Sequence, residues 1–249
     1  MKPYKYLITN GCSFTQGATL QNSISSRFGK LIADKLGLSE TNLAEPGGSN
    51  DRIFRTSFNW VNLNKDKCKD SLMIIGLTES YREEVYSRYT KKYVKYQYPN
   101  IDEPADIEQF KNRSGIKNYK DVKKYLEIRL FNFVDENYLK QTLDRNIILF
   151  DNYAKSHGLD VVYFDALLDY GDFYKQGDFL YEYTKEQMIS KDKFIKENNL
   201  NYFKFPNNEK NWKKHMHNVD NSYDGNHPNE EQHQYFSEIL WEYLNEKFK

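Results

Sequence analysis

The chain has 249 residues, enough for one large α/β domain, and its 36 Lys plus Arg balance 36 Asp plus Glu. A formal net charge of zero argues against a dedicated nucleic-acid binder, which carries a strongly basic domain or stripe. Only 39% of the residues are hydrophobic, yet 21 Tyr and 16 Phe can bury large areas each, so a core is within reach.

Tyr4 to Thr9 reads as a short buried strand ending at Asn10-Gly11. Leu20, Ile24, Phe28, Leu31, Ile32 and Leu36 then recur mostly at three- and four-residue steps, which predicts one amphipathic helix stopped by Gly37. A second strand over Thr41 to Ala44 leads into Pro46-Gly47-Gly48-Ser49-Asn50, and Ile53 to Leu63 reads as helix. Ser71 to Leu77 is a nearly continuous apolar run with polar flanks, the mark of a strand covered on both faces. From Glu79 to about Asn118 the periodicity breaks. Tyr81, Tyr86, Tyr89, Tyr93, Tyr96 and Tyr98 lie among charges, followed by Pro99 and Pro104. That is long for a connection, so residues 79–118 are expected to form an inserted lid or subdomain within one domain spanning 1–249.

A long helix is expected from about Asp121 to Ser156, with Asn137 as a point where it can break and Gly158 as its close. Val161 to Phe164 is another buried strand. Within Asp172 to Lys214, Lys185 to Glu197 reads as helix and the rest as loop. His215 and His217, with Asp220 nearby, alternate in a Lys/Asn-rich stretch where such histidines are solvated, so no metal site is expected there. The last helix presents Tyr235, Phe236, Ile239, Leu240, Tyr243 and Leu244 on its apolar face.

Strands separated by helices imply a parallel sheet with helices on both faces, and such sheets bind ligands beyond the carboxyl ends of their strands. Ser13, Gly47 and Thr78 each fall shortly after an expected strand, so three loops converge on one edge. Near the other end of the chain, Asp224 precedes His227 by three residues, which lets one loop present both side chains toward one point. Serine, histidine and aspartate suit nucleophilic catalysis. His227 can take the proton of Ser13, and Asp224 can hold the histidine's tautomer. The bland alternatives are a turn serine and a surface histidine before a helix. Cys12 reads as a small buried residue rather than the nucleophile.

These residues resemble the SGNH (GDSL-type) hydrolase family. Gly11-Cys12-Ser13-Phe14 matches its first block, Asn42-Leu43-Ala44-Glu45-Pro46-Gly47-Gly48-Ser49 its second, Gly76-Leu77-Thr78-Glu79 the place of its third, and Asp224 to Pro228 its last. The resemblance implies a three-layer sandwich with a flavodoxin-like parallel sheet, helices on both faces and the insertion after the third strand. It implies a Ser13-Asp224-His227 triad and an oxyanion hole built from the backbone N–H groups of Ser13 and Gly47. Two positions depart from the family. Thr78 stands where an asparagine donates to the oxyanion, with Asn50 on the neighbouring loop as an alternative donor. Cys12 replaces the first block's aspartate. Pro228 is expected at the first position of the last helix, with Glu230 and Glu231 in its first turn.

The resemblance implies a serine esterase or deacylase. The polar, Tyr-rich insertion favours a small-molecule or glycan ester, such as a carbohydrate O-acetyl group, over a lipid. Arg82, just after the third block, is a candidate contact to a substrate carboxylate or phosphate, against the bland reading of a surface ion pair. An acyltransferase would use the same triad, and a non-catalytic descendant of the fold would bind a ligand or partner instead. A phosphate-binding loop is disfavoured because Gly11 to Gly17 lacks both the Gly-Lys-Ser/Thr and the Gly-x-Gly-x-x-Gly patterns. No cofactor, metal, nucleic acid or membrane partner is called for, and the oligomeric state is left open. Two cysteines, no apolar leader and no spanning-length window point to the cytoplasm, or equally to a virion component.

Overall fold

The computed structural model describes residues 2–97, 104–133, 136–167, 191–206, 209, 211–219 and 227–248. Four parallel strands form the main sheet in the order β2-β1-β3-β6: β1 (Tyr6–Asn10), β2 (Ser39–Asn42), β3 (Ser71–Leu77) and β6 (Asp160–Asp165). Tyr6 is opposite Ser39 and Ser71, and Leu77 is opposite Asp165, so the carboxyl ends line up along one edge. Beyond β6, Tyr202 adds a parallel bridge: Tyr163 N–H donates to Asn201 O at 2.9 Å, and Phe203 N–H donates to Tyr163 O at 2.8 Å.

Every residue of β3 is buried because both faces of the sheet are covered. Leu72 and Ile74 pack with Phe28 and Ile32 of α3 (Phe28–Leu36) and with Phe236 and Leu240 of α10 (Glu230–Lys247). Met73, Ile75 and Leu77 point the other way, onto Ile53 and Val61 of α4 (Asn50–Leu63) and Ile147 and Phe150 of α7 (Glu136–Ser156). The result is the expected three-layer α/β sandwich.

Several local expectations need correction. The single helix over 20–36 is two helices, α2 (Ser23–Ser26) and α3, split at Arg27 in an extended conformation. Arg27 turns inward instead of continuing the helix, donating to Glu40 through Nε at 3.0 Å and Nη2 at 2.7 Å and to Ser23 O at 2.9 Å. The long helix over 121–156, with its break allowed near Asn137, agrees with α6 (Tyr119–Phe133) followed by α7; residues 134–135 lie outside the described residues. Of the helix expected over 185–197, α8 (Lys191–Glu197) is described and residues before Lys191 are not. The stretch holding His215 is not a loop but helix α9 (Trp212–Val219). Asn211 Oδ1 accepts from Lys214 N–H at 2.8 Å, and Trp212 and Met216 enter the core one turn apart. His215 is buried between Phe205 and Tyr235 rather than solvated.

The patternless region after β3 contains an antiparallel hairpin, β4 (Arg82–Ser87) and β5 (Lys92–Gln97), with Val85 opposite Val94. Its inner face joins α5 (Pro104–Ser114) and α6 in a separate small core of Val94, Tyr96, Ile107, Phe110, Val122 and Leu126, reached by Leu139 of α7. Its outer face carries Tyr86 edge-on to Tyr93 at 5.3 Å. Polar bonds tie the hairpin to the sheet domain. Arg55 of α4 grips Glu84 at 2.6 and 3.0 Å, and Lys95 Nζ donates to Glu45 at 2.5 Å and to Pro46 O at 2.7 Å.

Candidate active site

The edge begins with Asn10, the last residue of β1, which is fully buried. Its Oδ1 accepts from Gly11 N–H at 2.9 Å, and its Nδ2 lies against Ile53 O, Thr56 Oγ1 and Ser57 Oγ of α4 at 2.8–2.9 Å. The strand end is thereby pinned to the helix behind it. Ser13 opens the short helix α1 (Ser13–Gln16), which closes on Gly17 in the left-handed region at φ 74°. Thr15 packs between Gly11 and Gly76, leaving no space for a side chain at either. A Cβ on Gly76 would lie 2.7 Å from both Thr15 Oγ1 and Phe164 Cζ.

The loop after β2 is stitched to this turn. Asn42 Nδ2 donates to Thr15 O at 3.1 Å, and its Oδ1 accepts from Ala44 N–H at 2.8 Å. Gly47 has φ 66°, a left-handed value that favours glycine, and Gly48 packs on the backbone of Gly11 and Cys12. Ser49 Oγ then caps α4 by accepting from Arg52 N–H at 3.2 Å. Asn50 joins this loop to the next: its Nδ2 donates to Thr78 O at 2.9 Å and its Oδ1 accepts from Thr78 N–H at 3.0 Å. One side-chain N–H of Asn50 remains. Thr78 is fully buried; among the described residues the neighbour of its side chain is the Cys12 thiol, and no oxygen or nitrogen partner reaches its Oγ1.

Ser13, Gly47, Asn50 and Thr78 therefore meet at the carboxyl edge. Among the described residues, neither Ser13 N–H nor Gly47 N–H has an acceptor, and Ser13 Oγ makes no hydrogen bond. His227 reaches the same place from the far end of the chain. Its ring rests against Phe14, the residue after Ser13, with centroids 5.6 Å apart. Burial first, then the positive charges of Arg82 and Lys213, hold its pKa below the ordinary value of 6.5, so the ring is a neutral acceptor near neutrality. Arg82 is largely buried and ion-paired with Glu79, and its charge also reaches Cys12. It is not the solvated surface pair of the bland reading. The Cys12 thiol is pushed up, chiefly by burial.

Asp224 lies outside the described residues, as does Asp220. Pro228 is not the first helical residue. Asn229 is the N-cap, in a capping box with Gln232 at 2.9 Å in both directions, and Glu230 and Glu231 occupy the first turn as expected. Among the described residues no group of three or more His, Cys, Asp or Glu is arranged to hold a metal ion, and no helix is long and apolar enough to cross a membrane. Sequence reasoning passed over Asn10. Asn42 was visible as the first residue of the second block, but its bond to the serine turn was not.

No protein-family model and no curated protein matches the sequence. Solved structures do match over nearly the whole chain. An esterase from Pseudoalteromonas sp., inhibited by monoethylphosphonate, is 10% identical over 98% of both chains with a TM-score of 0.54. A protein named for the G-D-S-L lipolytic family, from Desulfitobacterium hafniense, is 12% identical over 96% of this chain and 99% of its own, with a TM-score of 0.52. TesA is 12% identical over 96% of this chain and 98% of its own, with a TM-score of 0.50. At these identities the likeness carries the fold: the chain has the SGNH (GDSL-type) hydrolase fold.

Proposed function

We propose that the protein is a serine hydrolase that cleaves an ester-linked acyl group. Ser13 is the nucleophile, His227 its general base, and Asp224 the group that orients the histidine. The observation that supports this reading is a neutral, half-buried His227 packed on Phe14, the residue after Ser13, in a turn where the backbone N–H groups of Ser13 and of nearby Gly47 have no acceptor among the described residues. In this reading Ser13 attacks the carbonyl carbon, and His227 takes the hydroxyl proton and returns it to the leaving alcohol. Water then releases the acyl group from Ser13. The oxyanion forms against the two N–H groups, where each donor is worth ~3 kcal/mol. Asn50 is the side-chain donor to the oxyanion, through its second N–H, in preference to Thr78, whose hydroxyl is fully buried against Cys12. The substrate is a small polar or glycan ester. The protein is one domain with residues 79–118 inserted as a subdomain beside the site, and it acts in the cytoplasm.

One observation favours the binding descendant instead: Ser13 and His227 are not hydrogen-bonded to each other. Catalytic hydrogen bonds in unliganded sites are often long, so labelling decides. A fluorophosphonate probe, read by intact mass, is expected to add once to the wild type and not to Ser13→Ala. In His227→Ala the rate should fall roughly 10²–10⁴-fold. No adduct on folded wild type at high probe concentration would reject the hydrolase and leave the binding protein. An acyltransferase would label in the same way and differ only in delivering the acyl group to an added alcohol.

A further inference from the structure

Beside the reaction edge, between α4, β4 and α7, lies a small polar cavity lined by Asn50, Asp51, Ser80, Arg82, Thr142 and Asn146, with Glu83, Leu139 and Leu143 completing its wall. Asn50 and Arg82 connect it to the site, one through the Thr78 clamp and the other through the charge it places on His227. Its volume of about 20 Å³ accommodates one water-sized group, which needs roughly 10–15 Å³.

Two groups on its wall have no partner. Asp51, in the first turn of α4, makes no hydrogen bond or ion pair among the described residues. Arg82 spends one terminal nitrogen on Glu79, while its buried Nε–H has no acceptor among the described residues. The neighbouring charges are already answered. Glu83 takes two bonds from Arg129, at 2.8 and 3.1 Å, and one from the Tyr96 hydroxyl, and Glu84 is held by Arg55. The unanswered buried Arg82 donor costs free energy that a ligand can recover, and the partly exposed Asp51 carboxylate beside it is free to accept.

The pair defines what fits. A carboxylate or phosphate placed here would meet Asp51 and Glu83. An ammonium could satisfy Asp51 but cannot accept from Arg82. A hydroxyl does both. Resting on the hydrolase reading above, we propose that this cavity is a hydroxyl subsite: a substrate hydroxyl accepts from Arg82 Nε–H and donates to Asp51, making Asp51 a specificity-determining residue. Burial, with Glu83 and Glu84 adding to it against Arg129 and Arg145, lifts the Asp51 carboxyl to about 6, so it is an ionised acceptor at pH 7.5.

The hydroxyl can belong to the acyl group or to the alcohol, and paired esters separate the two. p-Nitrophenyl glycolate is compared with p-nitrophenyl propionate, its near-isostere, and monoacetylglycerol with propyl acetate. Wild type is expected to prefer the hydroxyl-bearing member of one pair by roughly 10–100-fold in kcat/KM, because the isostere leaves both wall groups unpaired. In Asp51→Ala that ratio should collapse toward one. Asp51→Asn, which keeps the shape and a carbonyl acceptor, should retain part of it and guards against a folding defect. Ser13-dependent cleavage with equal rates within both pairs would mean that the cavity holds water only, overturning the subsite and leaving the hydrolase standing. A preference unchanged in Asp51→Ala would also overturn the subsite. Cleavage of none of the four esters would overturn the subsite, and absence of a fluorophosphonate adduct on the folded protein would overturn the hydrolase reading with it.

Discussion

His233 makes folding stability depend on acid in a way that can be worked out in advance. The ring is completely buried under α3, parallel to Phe28 and edge-on to Trp212 at 5.0 Å. Its Nδ1 accepts from Phe28 N–H at 3.2 Å, and its Nε2 has no partner among the described residues. Protonating Nδ1 would break that bond and put a charge in the core. Burial first, and the nearby Arg27 charge second, therefore lower its pKa from 6.5 to about 3. The folded protein binds this proton more weakly than the unfolded chain does. The stabilisation is thus complete above pH 6.5 and is lost as the pH falls toward 3. At 1.36 kcal/mol per pKa unit, about 2.7 kcal/mol is gone by pH 4.5, and the whole effect approaches ~5 kcal/mol. Urea unfolding at pH 7.5 and 4.5 should be measured on wild type and on His233→Phe. The variant keeps a ring but leaves Phe28 N–H without an acceptor, at a pH-independent cost of about 1–3 kcal/mol. Other groups titrate in both proteins and cancel in the difference. Wild type should lose about 2.7 kcal/mol more than the variant between the two pH values. Parallel losses would refute the reasoning.

Two further tests address the site. If His227 is the base, only its neutral form is active, so kcat/KM on a neutral ester should rise with pH through a midpoint below 6.5, set by burial and the charges of Arg82 and Lys213. Lys213→Gln should move that midpoint upward, and a wild-type midpoint above 6.5 that the variant does not move would count against the assignment. Gly11→Ala places a Cβ 2.7 Å from Thr15 Cβ and 3.1 Å from Gly76 O, so it should destabilise the fold by about 1–3 kcal/mol in a urea melt. An unchanged unfolding midpoint would show that the serine turn is looser than this packing implies.

Much of the architecture was legible because the sheet is buried on both faces. Ser71 to Leu77 and Val161 to Phe164 announce themselves as apolar runs, and the glycine-rich loops after the strands mark the edge where the site sits. The hairpin was not legible. Glu83, buried against Tyr96 and Arg129, sits on an inner face that a hydrophobic alternation would give to an apolar side chain. Helix α9 was hidden for a related reason, since Trp212 and Met216 are its apolar anchors among lysines, histidines and an asparagine. Asp51 offers no pattern at all, because an acidic residue in a first helical turn is the ordinary choice there. Only the absence of a partner among the described residues distinguishes it.

The two departures from the family's blocks meet in space. Cys12 and Thr78 are both fully buried, side by side behind the Ser13 turn, and burial keeps the thiol protonated and unreactive. By the block resemblance, a thiol and a hydroxyl stand where the family has an aspartate and an asparagine, two small neutral groups in place of a charged and strongly polar pair. Under the proposed mechanism, the donors facing the oxyanion are mainly backbone N–H groups of Ser13 and Gly47, which no side-chain exchange removes. What must persist is whatever holds those backbones in register. Asn10 fixes the end of β1, Asn42 ties the second loop to Thr15, and Asn50 clamps that loop to Thr78 through the latter's main chain. Because that clamp reads backbone atoms, it is indifferent to the side chain at position 78, so the third block can drift while the geometry of the edge is kept.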